Sequence, residues 1–242
     1  MWDTTLEEWT RALPKIELHA HIHGSIRATT LQELLNEDAK RNGTEPRSLP
    51  KHRSLDECFE MFHLIHQVVV SRQALRRIVI EAIEDFAAEN VKYIELRSTP
   101  RALERDGSSR DDYIAEVVSA VEECHARSDL DIQVRLLLSI NRNQPLEVAE
   151  ETLQLALKWR EKSPLISHPH REVVALHGTY PLCICTDDQG VLDTTLSREY
   201  ARAAQAFSLT KPRLLELARG AIDVIFADEL KQSLRSVFNE LA

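Results

Sequence analysis

The sequence predicts an α/β fold of repeated strand-helix units. Three observations carry that reading. Short apolar or β-branched runs lie at 15–22, 91–100 and 132–140, an amphipathic helical pattern follows each, and Pro14, Gly24 and Pro100 punctuate the first two runs. Strands alternating with helices in this way favour a parallel sheet or a barrel within one domain.

Taken in order, KIELHAHI at 15–22 reads as a buried strand that ends in a polar loop. Residues 28–41 carry Leu31, Leu34 and Leu35 at helical spacing, with Thr29 or Thr30 as a capping hydroxyl. The stretch from Asn42 to Arg53, with Gly43, Pro46 and Pro50, reads as an excursion loop. Ser54 and Glu57 form a capping-box pattern ahead of an amphipathic run over 54–69. Residues 72–89 place Leu75, Ile78, Val79, Ala82, Ile83 and Phe86 on one helical face. The pattern repeats with a strand at 91–100, a helix at 109–126, a strand at 132–140, and a helix at 145–160 whose core stripe is Val148, Leu153, Ala156 and Leu157. The rhythm breaks after Arg160. LCICTDD at 182–188 then reads as a fourth strand, and 196–241 as helices interrupted around Ser208 to Pro212 and near Asp228.

Composition excludes several classes. The chain has 242 residues, a formal charge of −9, 43% hydrophobic and 29% charged residues, which is ordinary for a globular domain and unlike a disordered chain. Four cysteines are too few for a disulfide scaffold, and Cys183 and Cys185 lack the paired CxxC spacing of a structural zinc module. A reduced, cytoplasmic setting is expected. The acidic balance without a Lys/Arg run argues against nucleic acid as a partner, and no apolar stretch is long enough to span a bilayer. The first fifteen residues are acidic where an export signal would be basic and then apolar. Only 6 glycines occur, few for a fold with many tight turns.

Two constellations carry chemistry. In His19-Ala20-His21 at the end of the first strand, residues i and i+2 share a face, so both imidazoles can converge on one ion such as Zn²⁺. In Thr186-Asp187-Asp188 at the end of the last strand, adjacent carboxylates repel unless a cation or a buried partner relieves them. Both sit at the C-terminal ends of strands, the rim where βα folds place their sites.

The runs LPKIELHAHIHGSIR (13–27), FHLIHQ (62–67), LRSTPR (96–101), LLLSINR (136–142) and CTDDQGVLDTTLSREY (185–200) together resemble the adenosine deaminase superfamily. Within it they are similar to the adenosine-deaminase-like branch that acts on N6-methyl-AMP. The resemblance implies a TIM-type (β/α)8 barrel of the metal-dependent hydrolase kind, with one Zn²⁺ per chain activating water for attack at purine C6. It assigns His19, His21 and Asp187 as metal ligands. It assigns His21, His23, His66, Ser98, Thr99, Pro100, Arg101 and Asp188 to the substrate, a purine nucleotide or nucleoside. A short polar loop carrying an Arg suits a monophosphate.

The same resemblance calls for a third His ligand in an LHxxE-type motif, whose Glu is the acid, and for a water-orienting His. Residues 141–181 contain no LHxxE, and neither catalytic residue is assigned. About four of eight strands are visible, at roughly 30 residues per barrel unit. The chain therefore reads as a single deaminase-like domain over 1–242, with an N-terminal barrel portion at 1–160, a junction at 161–181 and a C-terminal portion at 182–242. An impaired aminohydrolase is the expected function. The alternatives are a non-catalytic interaction or regulatory protein self-associating through exposed sheet edges, and a rearranged metal shell completed by His168 or His170.

Overall fold

The computed structural model describes residues 4–49, 55–140, 144–166 and 183–239. A helix α1 (Thr4–Ala12), which the sequence reading does not anticipate, precedes β1 (Lys15–His21). Then come α2 (Ala28–Asn42), α3 (Leu55–Val68), α4 (Arg72–Ala88), β2 (Val91–Ser98), α5 (Arg110–Ala126), β3 (Gln133–Leu138) and α6 (Leu146–Lys162). Helices α7 (Leu196–Phe207), α8 (Lys211–Gly220) and α9 (Lys231–Asn239) close the described chain. The three strands form one parallel sheet in the order β1-β2-β3, so all three end on the same rim.

Local chemistry explains the boundaries. Ser71 caps α4 by accepting from the Ala74 N–H, and Ser109 with Asp112 forms a capping box on α5. Helix α2 starts at Arg27 without a side-chain cap. Neither expected threonine serves there, because Thr30 is buried and donates its hydroxyl proton to Glu81 Oε2 at 2.6 Å. The Ser54 half of the expected capping box lies outside the described residues. Burial follows the apolar stripes: Leu31, Leu34 and Leu35 of α2, Leu75, Ile78, Val79, Ile83 and Phe86 of α4, and Ile114, Val117, Val118 and Val121 of α5 join Val91, Ile94 and Leu96 of β2 in one core, and Ala82 is buried as well.

Two expectations need correction. The last strand does not form as a ladder. Of 183–188, only Asp187 pairs, through a parallel bridge to Ala20 in which its N–H reaches His19 O and its carbonyl accepts from the His21 N–H, both at 2.9 Å. Pairing stops there because the Thr186 N–H is taken by the Glu17 carboxylate and Asp187 turns to φ 61°. The α6 stripe is also not core. Ala156 is buried, but Leu153 and Leu157 are each 40% exposed and Leu146 is 70% exposed. Polar clamps hold this helix instead: Arg110 to Thr152, and Asp111 to both Lys158 and the Trp159 indole. The far edge of the sheet carries one more parallel bridge, Leu136 to Ile166. His125 is half-buried and accepts the Val134 N–H at 3.1 Å.

The C-terminal segment folds back onto the sheet. The Phe226 N–H donates to Glu95 Oε1 at 3.0 Å, and Arg135 pairs with Glu229 at 2.7 Å.

Candidate metal and nucleotide site

The site assembles on the rim where the parallel strands end. His19 and His21 leave β1 two residues apart, and the bridge from Asp187 to Ala20 lays the third donor beside them. His19 Nε2, His21 Nε2 and Asp187 Oδ1 are 3.3 Å from one another on all three sides. Ligand atoms about 2.0–2.1 Å from a tetrahedral zinc ion are separated by roughly 3.3–3.4 Å. The observed triangle thus has the edge length that one shared ion requires, and two imidazoles with a carboxylate form a donor set that suits zinc. Burial lowers the basicity of His19, and Arg97 lowers it further. Burial likewise lowers that of His21, against the pull of Asp187. Both shifts favour the neutral ring, the form that ligates a metal.

Beside the triangle lies a cavity of about 450 Å3 lined by His21, His23, His66, Ser98, Thr99, Pro100, Arg101 and Asp188. Every residue that the sequence assigns to the substrate is on this one wall. Phe62, Arg97 and Gln144 line it as well. Helical spacing could have found Phe62, which sits one turn before His66 on α3. Arg97 is opposite His21 in the β1-β2 register, a relation that no local pattern reveals.

Four buried polar atoms around this cavity have no hydrogen-bond partner among the described residues: His23 Nε2, Arg97 Nε, Arg101 Nε and Asp188 Oδ1. Each such orphan costs about 1–3 kcal/mol, so four along one cavity make it the candidate ligand site. Arg101 is otherwise engaged with the carbonyls of His66 and Val69 at the end of α3, which fixes the guanidinium. The Ser98 hydroxyl is 2.6 Å from the Tyr113 hydroxyl. Burial drives the His23 imidazole well below its usual range, and Arg101 and His66 add to this. His66 is lowered to about 4, first by burial and then by Arg101. Burial, with the neighbouring Asp187 charge, pushes the Asp188 carboxyl up to about 7. His168, His170 and His177 lie outside the described residues.

The family profile "Adenosine deaminase" matches residues 14–168. The N6-mAMP deaminase of Arabidopsis thaliana is 30% identical, with 96% of this chain and 98% of that protein covered. That alignment runs over 348 positions against the 242 residues here, so a long stretch of the relative has no counterpart in this chain. Among solved structures, the apo N6-methyl-AMP deaminase from Arabidopsis thaliana superposes with a TM-score of 0.84 at 32% identity, covering 97% of this chain and 98% of that one. The Arabidopsis ADAL complexed with IMP superposes at 0.83 with 30% identity, covering 96% of this chain and 98% of that one.

Proposed function

This chain belongs to the adenosine deaminase family, and on that footing we propose that it is a zinc-binding purine nucleotide protein of the N6-methyl-AMP deaminase kind whose hydrolytic turnover is impaired. The observation that carries the reading is the 3.3 Å donor triangle of His19, His21 and Asp187 beside a cavity with four orphaned polar atoms. On this reading the barrel is incomplete.

His19, His21 and Asp187 would hold the ion. When bound, zinc supplies Lewis acidity and makes an attacking water nucleophilic at neutral pH. The remaining roles belong to the chain itself. Asp188, half-buried and with its carboxyl pushed up to about 7, faces the purine ring from the cavity wall. Arg101 offers its unpartnered Nε–H to a phosphate oxygen, with Ser98, Thr99 and His66 lining the same cavity. His23, held neutral, gives or takes one hydrogen bond deeper in the cavity.

The LHxxE glutamate that would protonate the base is absent from 141–181. Loss of a positioned proton donor lowers rates by about 10²–10⁴. The deciding assay incubates the purified chain with zinc and N6-methyl-AMP and follows IMP. The expected result is bound nucleotide with little product. Robust turnover that Asp187→Ala abolishes overturns the claim of impairment.

A second reading, non-catalytic self-association, is favoured by the exposed Leu146, Leu153 and Leu157 on α6 and by sheet edges that end in single bridges. Size-exclusion with light scattering separates the two, and a stable monomer at high concentration sinks the second.

A further inference from the structure

Strand β1 leaves its ladder where the metal donors begin. Its register with β2 shifts between Glu17 and Ala20, and side chains satisfy the backbone groups in that gap. The Leu18 carbonyl accepts from Arg97 Nη2 at 2.9 Å, and the His19 N–H donates to Glu17 Oε1 at 2.8 Å. The second oxygen of the same carboxylate, Oε2, accepts the Thr186 N–H and the Thr186 hydroxyl, both at 2.9 Å. Glu17 is fully buried. One carboxylate therefore ties the backbone of His19 to that of the residue preceding Asp187, next to the bridge that pairs Asp187 with Ala20.

A carboxylate buried between strands is costly unless donors surround it. Three donors to it, the His19 N–H and the Thr186 N–H and hydroxyl, come from the two metal-bearing segments, and the Cys185 thiol adds to them. Two of them are backbone N–H groups, which cannot reverse their polarity, and they approach different oxygens. Only a group with two acceptor oxygens satisfies both, because a glutamine amide would set its own N–H against one of them.

We propose that Glu17 is a positioning residue of the metal centre. Its carboxylate holds His19 and Asp187 at the spacing that a shared ion needs, and so sets metal affinity without touching the ion. This rests on the assignment of His19, His21 and Asp187 as the ligands.

The test uses the full chain, stripped of metal by a chelator, with zinc affinity read by competition against a chromophoric chelator and site geometry by the visible absorption of bound Co²⁺. Glu17→Gln should weaken zinc about 10- to 100-fold, the usual effect of losing a group that orients a metal ligand, and should shift the Co²⁺ bands. Thr186→Val, which removes one of these hydrogen bonds, should weaken zinc about three- to tenfold, and Thr186→Ser should restore it. A folded Glu17→Gln chain with wild-type affinity and spectrum overturns the positioning role. If Glu17→Gln does not fold, equal affinities for Thr186→Val and Thr186→Ser overturn it instead. A wild-type chain that binds no zinc overturns the ligand assignment, and the positioning role falls with it.

Discussion

The Asp188 carboxyl lies directly against the backbone of Gly24: a β-carbon on that glycine would stand 1.7 Å from Asp188 Oδ1. Two hydrogen bonds, from the N–H groups of Gly190 and Val191 to the Gly24 carbonyl, hold the two loops at this approach. The absence of a side chain at residue 24 is what allows Asp188 to reach the cavity.

Gly24→Ala should therefore displace Asp188 and lower IMP affinity by about tenfold or more, the worth of a charge-assisted hydrogen bond. Zinc stoichiometry should stay unchanged, because the donor triangle does not involve Asp188. Isothermal titration with IMP, alongside metal analysis, checks this. Unchanged IMP affinity would remove Asp188 from the base-binding role.

Asp187, the proposed carboxylate ligand, sits at a left-handed backbone position, φ 61°. Aspartate and asparagine tolerate that conformation better than alanine does. Asp187→Asn thus removes the charge without adding backbone strain. Zinc at a hundred times its Kd should stabilise the wild-type chain by about 2.7 kcal/mol, seen as a rise in Tm. The gain for Asp187→Asn should be much smaller at the same zinc concentration, and an equal gain would exclude Asp187 as a ligand.

Arg101 tests the phosphate end. Arg101→Lys keeps a charge but gives up the planar fork that holds two carbonyls and still offers Nε. Affinity for IMP should fall at least about tenfold, while affinity for inosine should change little. Equal losses for nucleotide and nucleoside would place the phosphate elsewhere.

Glu95 gives a pH dependence distinct from the site. Burial raises its carboxyl to about 7 in the folded chain, and hydrogen bonds from the Phe226 N–H and the Tyr93 hydroxyl only partly offset this. The folded state holds this proton more tightly than the unfolded one, so the contribution is full below the unfolded value of 4.5 and is lost as pH rises through about 7. Lys15, lowered to about 7 by burial, acts in a different window, between about 7 and 10.5. Glu95→Gln keeps an acceptor for both donors and should flatten the fall in stability between pH 4.5 and 7, a difference on the order of 2–3 kcal/mol. Urea unfolding at several pH values reads it, and superimposable profiles for the two chains would rule out Glu95 as the source.

Much of the architecture was legible locally. Helices α2, α4 and α5 and strands β1, β2 and β3 follow from apolar spacing and caps within a few residues of each boundary. The eight positions that the family resemblance assigns to substrate line one cavity; strand order explains why the ends of β1 and β2 meet there, whereas His66 arrives from α3. The α6 stripe misled for a physical reason: Leu153 and Leu157 have core spacing, but periodicity reports a face and not whether anything covers it. The fourth strand misled because the apolar run of 182–188 does not show that Glu17 takes the Thr186 N–H.

Short-range spacing in the sequence determined the parallel α/β plan and paired His19 with His21 on one strand face, and the resemblance to the adenosine deaminase family supplied Asp187 as the third candidate donor and the LHxxE motif that 141–181 lack. Tertiary structure decided that the donors form a triangle, that Arg97 and Phe62 join the cavity wall, and that Glu17 binds a threonine 169 positions away. Those relations depend on strand register and on which buried hydrogen-bonding groups find partners across the chain. Both are settled only when distant segments pack together and water is excluded between them.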